Sequence, residues 1–468
     1  MKEFIFPVGV VACNRAIDAS NLLKKQPLQI GLAERMTTVF EAGDYIILDF
    51  GKEMCGGVRI LTFHADMARV RLRFGESVTE TCSDVGGSQN ATNDHALRDF
   101  EIHLPRFSDM TFGNTGFRFL RIDFCGKASI KSIVAENNIL RRRAVYRYAG
   151  KDARIREIFA VAKRTVDLCT SSGYIWDGVK RDRLVWIGDM HPEMLALTTL
   201  YGRMPEIEKS LDYVREQTPL PGWMNGFPMY SMWWIIILAD YYEKTNCRDF
   251  IEGQLPYLEA LVAQMSGCVR DDGELAYPSY FVDWPTRNQP DELNGVRAIN
   301  IIAMKKAISL LGAFQKDATL ANDVLSRLLK IEITPTKSKQ VVGLKYFATE
   351  LTEADKALLV EGGAGGMSTF MSYYILKAVA SFDRASAIDM MKEYYGAMLD
   401  KGATTFWEDF NLAWVENSSR IDAFPKDGEK DIHGDFGAFC YTGFRHSLCH
   451  GWSAGVLQFI REECESNI

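Results

Sequence analysis

Three short stretches carry the residue types of an acid–base site. "DGVKRDRLVWIGD" at 177–189 packs Asp177, Asp182 and Asp189 among Lys180, Arg181, Arg183 and Trp186. "GATTFWEDF" at 402–410 sets Glu408 directly after Trp407, and "FRHSLCHGWSAGVLQFI" at 444–460 places His446 and His450 four apart before a run rich in small residues. Two carboxylates from distant loops, each beside an indole, are what glycosidic bond cleavage requires: one protonated acid for the leaving oxygen and one ionised base for water. The aromatic planes would stack on the apolar faces of a sugar and desolvate one carboxyl, raising its pKa so that it holds a proton.

Each of these residues also has a plain structural reading. Asp189 could N-cap a helix beginning near "MHPEMLALTTLYG", with Pro192 tolerated in its first turn. Asp182 could pair with a neighbouring arginine on the surface, and Glu408 could be a solvated acid after a helix end. Two histidines four apart suit a metal, but two ligands make no site and no HExxH is present, so neither metal nor cofactor is expected.

The elements that must position these loops differ between the two parts of the chain. Up to residue 145, "YIILDF", "GVRILTF", "ARVRLRF", "DFEIHLP", "FRFLRIDF" and "ASIKSIVA" read as short strands, with turn-forming clusters "GKEMCGG" and "FGNTG" between them. Many strands without intervening helical patterns predict an antiparallel β-sandwich over 1–145. From 146 to 468 apolar residues recur at threes and fours, as in "YSMWWIIILADYYEKT" and "AINIIAMKKAISLLGAF". About ten to twelve such segments with no short repeat predict a closed toroid of helical hairpins. Its long loops are where a rigid scaffold presents function.

Composition narrows the partners. With 468 residues and a formal charge of −7, the chain has no broad basic field for phosphate backbones, so no nucleic-acid partner is expected. The longest apolar run, "MWWIIILA" at 232–239, falls far short of the roughly 20 residues that cross a bilayer, so no membrane span is expected. Ten cysteines without CxxC pairs suggest reduced thiols in a cytosol. "FIFPVGVVAC" ending at Cys13 faintly resembles a lipoprotein export signal, against which stand Pro7 and its short length. A cytoplasmic protein is the expectation, an exported lipoprotein the alternative, and the oligomeric state is left open.

Taken together, the three stretches resemble the bacterial α-L-rhamnosidases, whose catalytic domain is an (α/α)6 barrel of six helical hairpins. Those enzymes carry an Asp, a short spacer, Arg-Glu-Arg and then Trp-x-Gly-Asp; this chain has Asp177, Arg181-Asp182-Arg183 and Trp186-Ile187-Gly188-Asp189. "TTFWE" matches their Thr-x-Trp-Glu segment, "HGWSAG" at 450–455 their closing motif, and "LDFGKEMCGGVRI" with "VRLRFGES" looks like the β-sandwich before the barrel. The resemblance implies a two-domain architecture, a β-sandwich followed by an (α/α)6 barrel, and an inverting exo-hydrolase releasing terminal α-L-rhamnose or a similar deoxy sugar from a small or oligosaccharide glycoside. Carried over by position, the general acid is Asp182 and the general base Glu408. Asp177, Arg181, Trp186, Asp189, Trp284, Trp407 and His450 would bind the sugar, with Trp233, Trp234, Asp283 and Trp414 as further pocket walls. Asp182 stands where the family has glutamate, which leaves open a sugar-binding protein without turnover, and a glycosidase of different sugar specificity.

Overall fold

A computed structural model describes residues 2–15, 17–86, 98–170 and 173–465. Among them eight strands come first: β1 (Lys2–Ile5), β2 (Gly9–Cys13), β3 (Thr38–Phe40), β4 (Tyr45–Ala65), β5 (Ala68–Gly75), β6 (Asp99–Leu104), β7 (Ser108–Phe124) and β8 (Ala128–Asn138). All pair antiparallel in the order β1-β8-β4-β7-β5-β6, with β2 added to β4 and β3 to β8. The two long strands serve both layers of the sandwich. Residues 46–49 of β4 pair with β2 and with the second half of β7, whereas residues 58–62 pair with β8 and with the first half of β7.

The expected turns at "GKEMCGG" and "FGNTG" are therefore not turns. The first lies inside the 21-residue β4, and the second inside β7. Register slips between Asp49 and Met54 and again between Gly56 and Val58 let β4 bend without leaving its ladder. Gly56 adopts φ +156° there, and a Cβ on it would lie 2.0 Å from the Glu136 carbonyl oxygen. A glycine-rich bulge carries the same composition as a turn, which is why the two limbs read as separate strands. Inward faces of both layers meet in one core, where Phe74 packs edge-on to Phe117 at 4.9 Å.

Thirteen α-helices follow among the described residues: α1 (Ala153–Cys169), α2 (Met190–Tyr201), α3 (Pro205–Gln217), α4 (Pro228–Thr245), α5 (Arg248–Glu252), α6 (Leu255–Ser266), α7 (Glu292–Ala313), α8 (Thr319–Leu328), α9 (Lys339–Ala348), α10 (Glu353–Val360), α11 (Ser372–Ala380), α12 (Arg384–Asp400) and α13 (Val456–Phe459). Helix α2 packs on α4, α4 on α7, α7 on α9, α9 on α11, α11 on α13, and α13 with the 3-10 turn Gly451–Gly455 returns to α2. This closed ring is the inner layer of a six-hairpin barrel, with α1, α3, α6, α8, α10 and α12 as its outer partners. Sequence explains the sorting: every residue of α2 is buried, so it cannot face water, while α3 buries only Ile207, Ser210, Leu211 and Val214, one stripe of an amphipathic helix.

The β region docks on the barrel's loops. Arg118 on β7 bridges Asp49 at 2.8 and 2.9 Å, the Gly402 carbonyl at 3.0 Å and Asp422 at 3.4 Å. The N-terminal stretch considered as an export signal forms β1 and β2 of the sheet. No helix among the described residues is long and apolar enough to cross a membrane.

Candidate active site

The three stretches meet at the N-terminal end of α2, stitched by backbone hydrogen bonds. The Gly451 N–H donates to the Asp177 carbonyl at 2.7 Å, beside an antiparallel bridge between Gly178 and His450. The His450 N–H donates to the Phe406 carbonyl at 3.0 Å, and the Glu408 N–H to the Ser447 carbonyl at 2.9 Å. A cavity of about 230 Å³ opens between them. Asp177, Arg181, Asp182, Trp186 and Asp189 line it from the first stretch, Glu408 and His450 from the other two, and Trp284 from a fourth loop.

Arg181 dominates its electrostatics. Only 4% of its side chain is exposed; Nη1 donates to Asp182 Oδ2 at 2.8 Å, Nη2 makes a close contact with Glu408 Oε1, and Nε holds the Arg445 carbonyl at 2.9 Å. One guanidinium thus stands between the two carboxylates that the sequence singles out as acid and base. Asp182 and Arg183 both adopt left-handed backbone, φ 57° and 51°, a conformation costing about 1–3 kcal/mol each for non-glycine residues and kept only where surroundings impose it. The turn brings the Asp182 carboxyl back onto Arg181 and sends Arg183 outward, its Nε on the Val179 carbonyl at 2.8 Å and its guanidinium 5.4 Å from the Trp176 ring centre.

Asp189 occupies the N-cap position of α2 but caps nothing, because its own backbone is already helical. Its carboxyl faces the cavity and accepts from the Tyr230 hydroxyl at 3.3 Å. Gly188 makes this possible, since a Cβ there would lie 2.3 Å from the Tyr230 ring. Burial, reinforced by Glu408, raises the Asp189 carboxyl well above the usual range. Burial likewise raises Asp177, with Asp189 and Asp182 adding to it, while Arg181 and the Leu184 N–H oppose. His450 Nε2 stands 3.7, 3.8 and 3.9 Å from Glu408, Asp177 and Asp189. Burial and the neighbouring Arg181 push its pKa down, so a neutral imidazole faces three carboxyls.

Trp407 does not reach the cavity. It is fully buried, edge-on to Phe410 at 5.5 Å. Adjacent in sequence to the inward-facing Glu408, it joins the barrel core instead. Trp234 is fully buried within α4, and Trp233 lines a separate cavity of about 280 Å³ with His191 and Asp240. Trp414 stacks on Phe436 at 5.4 Å, and Asp283 is buried accepting from Ser368 at 3.2 Å; neither lines the site. His446 and His450 diverge because their backbone is not helical: His446 Nε2 accepts the Asp409 N–H at 2.9 Å.

Sequence reasoning passed over several lining residues. Tyr230, Phe227, Phe281, Cys440 and Arg445 complete the walls. Trp452 lay inside the quoted "HGWSAG" unselected, yet its Nε1 donates to the Glu408 carbonyl at 2.9 Å while it lines the cavity. Asp409, the acid after Glu408, is pushed up to about 7 by burial and by Glu408. A raised carboxyl stabilises the fold below its unfolded pKa, and that contribution is lost as pH rises through the folded value. Asp409→Asn, neutral at every pH, is therefore expected to gain stability relative to the parent between pH 5 and 8, checked by urea unfolding at both; an equal difference at the two pH values contradicts it.

Neither a protein-family model nor a curated protein matches the sequence. Solved structures match the fold. A rhamnosidase from Klebsiella oxytoca with rhamnose bound aligns at TM-score 0.74 and 19% identity, over 99% of this chain and 96% of its own. A GH78 family rhamnosidase of Bacillus sp. GL1 aligns at 0.69 and 17%, over 94% and 48%, and a Streptomyces avermitilis α-L-rhamnosidase complexed with L-rhamnose at 0.68 and 16%, over 90% and 43%. The chain spans nearly the full length of the first and less than half of the other two. At such identities the likeness is one of fold.

Proposed function

We propose that this chain, built on the fold of the α-L-rhamnosidases, is an inverting exo-glycosidase releasing terminal α-L-rhamnose or a similar deoxy sugar. The observation that carries the reading is the single cavity in which Asp182 and Glu408 face each other across Arg181, floored by buried carboxyls and walled by aromatic rings. Glu408 is the general base. Arg181 at Oε1 and the Ser447 N–H, 3.0 Å from Oε2, fix its carboxyl, and a remaining lone pair takes a proton from water. Asp182 is the general acid, its carboxyl turning from Arg181 to the leaving oxygen as the sugar fills the cavity. Asp177 and Asp189, whose carboxyls burial raises, hydrogen-bond sugar hydroxyls, and their oxygens favour the positive charge that develops at the anomeric carbon. Trp186, Trp284 and Trp452 stack on the ring, and His450 accepts or donates a hydroxyl bond. A guanidinium and two hydrogen bonds between the carboxyls favour inversion, which needs about 6.5–9.5 Å for the water. The free state of all ten cysteines supports a cytoplasmic setting.

The test follows hydrolysis of an alkyl and a nitrophenyl α-L-rhamnoside by proton NMR. The first rhamnose released is expected as the β anomer, and Asp182→Asn should lose more on the alkyl substrate, whose leaving group needs the proton, than on the nitrophenyl one. First release of the α anomer, or equal retention on both substrates, overturns the assignment. A second reading, a sugar-binding protein without turnover, draws on the Arg181 to Asp182 contact, which ties the would-be acid to a guanidinium rather than to a leaving group. It predicts calorimetric rhamnose binding without hydrolysis, and turnover gained by Asp182→Glu.

A further inference from the structure

Beneath the cavity, on the side of the β region, lies a second cluster of buried charge. Glu76, just past β5, is fully buried. Its Oε2 accepts from Lys180 Nζ at 3.1 Å and from the Leu448 N–H at 2.6 Å, and its Oε1 from the Ser447 hydroxyl at 3.3 Å. Lys180 also reaches Glu80 Oε1 at 3.2 Å and the carbonyls of Phe444 and His446 at 2.7 and 2.6 Å. Glu76, Glu80 and His433 offer ligand atoms within 4.8 Å of one another. The Lys180 ammonium stands among them, 3.4 Å from His433 Nε2, so the cation of this cluster is part of the chain.

Both arms of Glu76 end at the candidate catalytic pair. Lys180 is the residue immediately before Arg181 and Asp182, so its anchorage sets where that turn leaves the β region. On the other arm, Ser447 and Leu448 are held by Glu76, and the Ser447 N–H and carbonyl hold the Glu408 carboxyl and backbone at 3.0 and 2.9 Å. We infer that Glu76 is a positioning residue for the glycosidase reading above, a carboxylate of the β region that sets the spacing of Asp182 and Glu408 from below. A carboxylate is required because its charge offsets the buried Lys180 ammonium while its oxygens accept from Lys180, the Leu448 N–H and the Ser447 hydroxyl; an amide leaves Lys180 only Glu80 as counter-charge and turns an N–H toward Ser447, weakening both arms. Geometry of this kind is worth a great deal, since misplacement by about 1 Å costs on the order of a hundredfold in rate.

The test compares Glu76→Gln with Arg118→Met, which removes a buried contact of the β region with Gly402 and Asp422, six residues or more in sequence from either member of the pair. Each is followed by hydrolysis of nitrophenyl α-L-rhamnoside, by melting temperature, and by hydrogen exchange of peptides covering 177–189 and 404–410. Glu76→Gln is expected to lose about tenfold to a hundredfold in kcat with KM nearly unchanged, and to lose exchange protection in both peptides. Arg118→Met should lower the melting temperature at least as much while keeping kcat within about threefold. Glu76→Asp, which keeps the charge but withdraws it from Leu448, should show a smaller loss of protection in the same peptides and serves if the glutamine variant does not fold. Unchanged protection in either peptide, or an equal loss in Arg118→Met at matched melting temperature, overturns the inference. Should the parent hydrolyse no rhamnoside while Glu76→Gln still loosens both peptides, the glycosidase reading falls and the positioning role stands.

Discussion

Glu408→Gln is expected to lower kcat on an aryl α-L-rhamnoside by about 10²–10⁴-fold, the range a positioned general base supplies. The side chain is nearly isosteric, so the cavity keeps its shape and its oxygen can still accept the Ser447 N–H. What disappears is the ability to take a proton from water. The amide nitrogen also meets Arg181, donor against donor, so the guanidinium is expected to shift wholly to Asp182. Rhamnose binding measured by calorimetry should persist within a few-fold, because hydroxyl contacts come from Asp177, Asp189 and His450. Retention of more than a tenth of parental kcat would remove Glu408 from the role of base.

Arg181→Met is expected to be costly to the fold as well as to the reaction. Breaking a buried ion pair from one side costs roughly 3–5 kcal/mol, and here one guanidinium, 4% exposed, serves both Asp182 and Glu408. Without it the cavity holds four carboxyl groups and one cation fewer. Its lowering influence on Asp177 and Asp189 is lost too, so their already raised values climb further. The variant's native state then binds protons more tightly than its unfolded chain, and its stability falls as pH rises. The gap to the parent should accordingly be widest near pH 8 and narrow toward pH 5, read from urea midpoints across that range. A constant gap would mean that packing of the arginine stem, not its charge, is what the fold uses.

Much of the candidate site was legible in the sequence because its chemistry is local. Asp177, Arg181, Asp182, Trp186 and Asp189 sit within one loop, and an inner-ring helix such as α4 announces itself by the unbroken apolar run "MWWIIILA". What was not legible depended on direction or on distant partners. Trp407 read as a pocket wall because adjacency to Glu408 says nothing about side; its ring packs in the core against Phe410. The pair of histidines read as neighbours because spacing of four presumes a helix that is absent there. Tyr230 and Trp452 carry no charge to mark them, and only the close approach at Gly188 brings the tyrosine onto Asp189. Lys180 looked like one more charge of a solvated loop, whereas its partners lie on β5's end and in the 433–446 loop, contacts that no local pattern encodes. The same limit split β4 in two: a bulge and a turn share their residues and differ in pairing.

The ring of inner helices closes only when α13 and the turn before it return to α2. During synthesis this has an order. Chains emerge from the ribosome N-terminus first and fold by units as they appear, so the sheet and the first hairpins are out while the edge of α2 that faces Gly451 is still bare. Asp177 waits for its backbone partner until residue 451 is made, and contacts of such long sequence separation are the slow ones to form. Throughout that interval the nascent barrel exposes an apolar seam beside unpaired carboxyls, which makes the time before residues 451–459 emerge the period in which this protein most needs protection from aggregation.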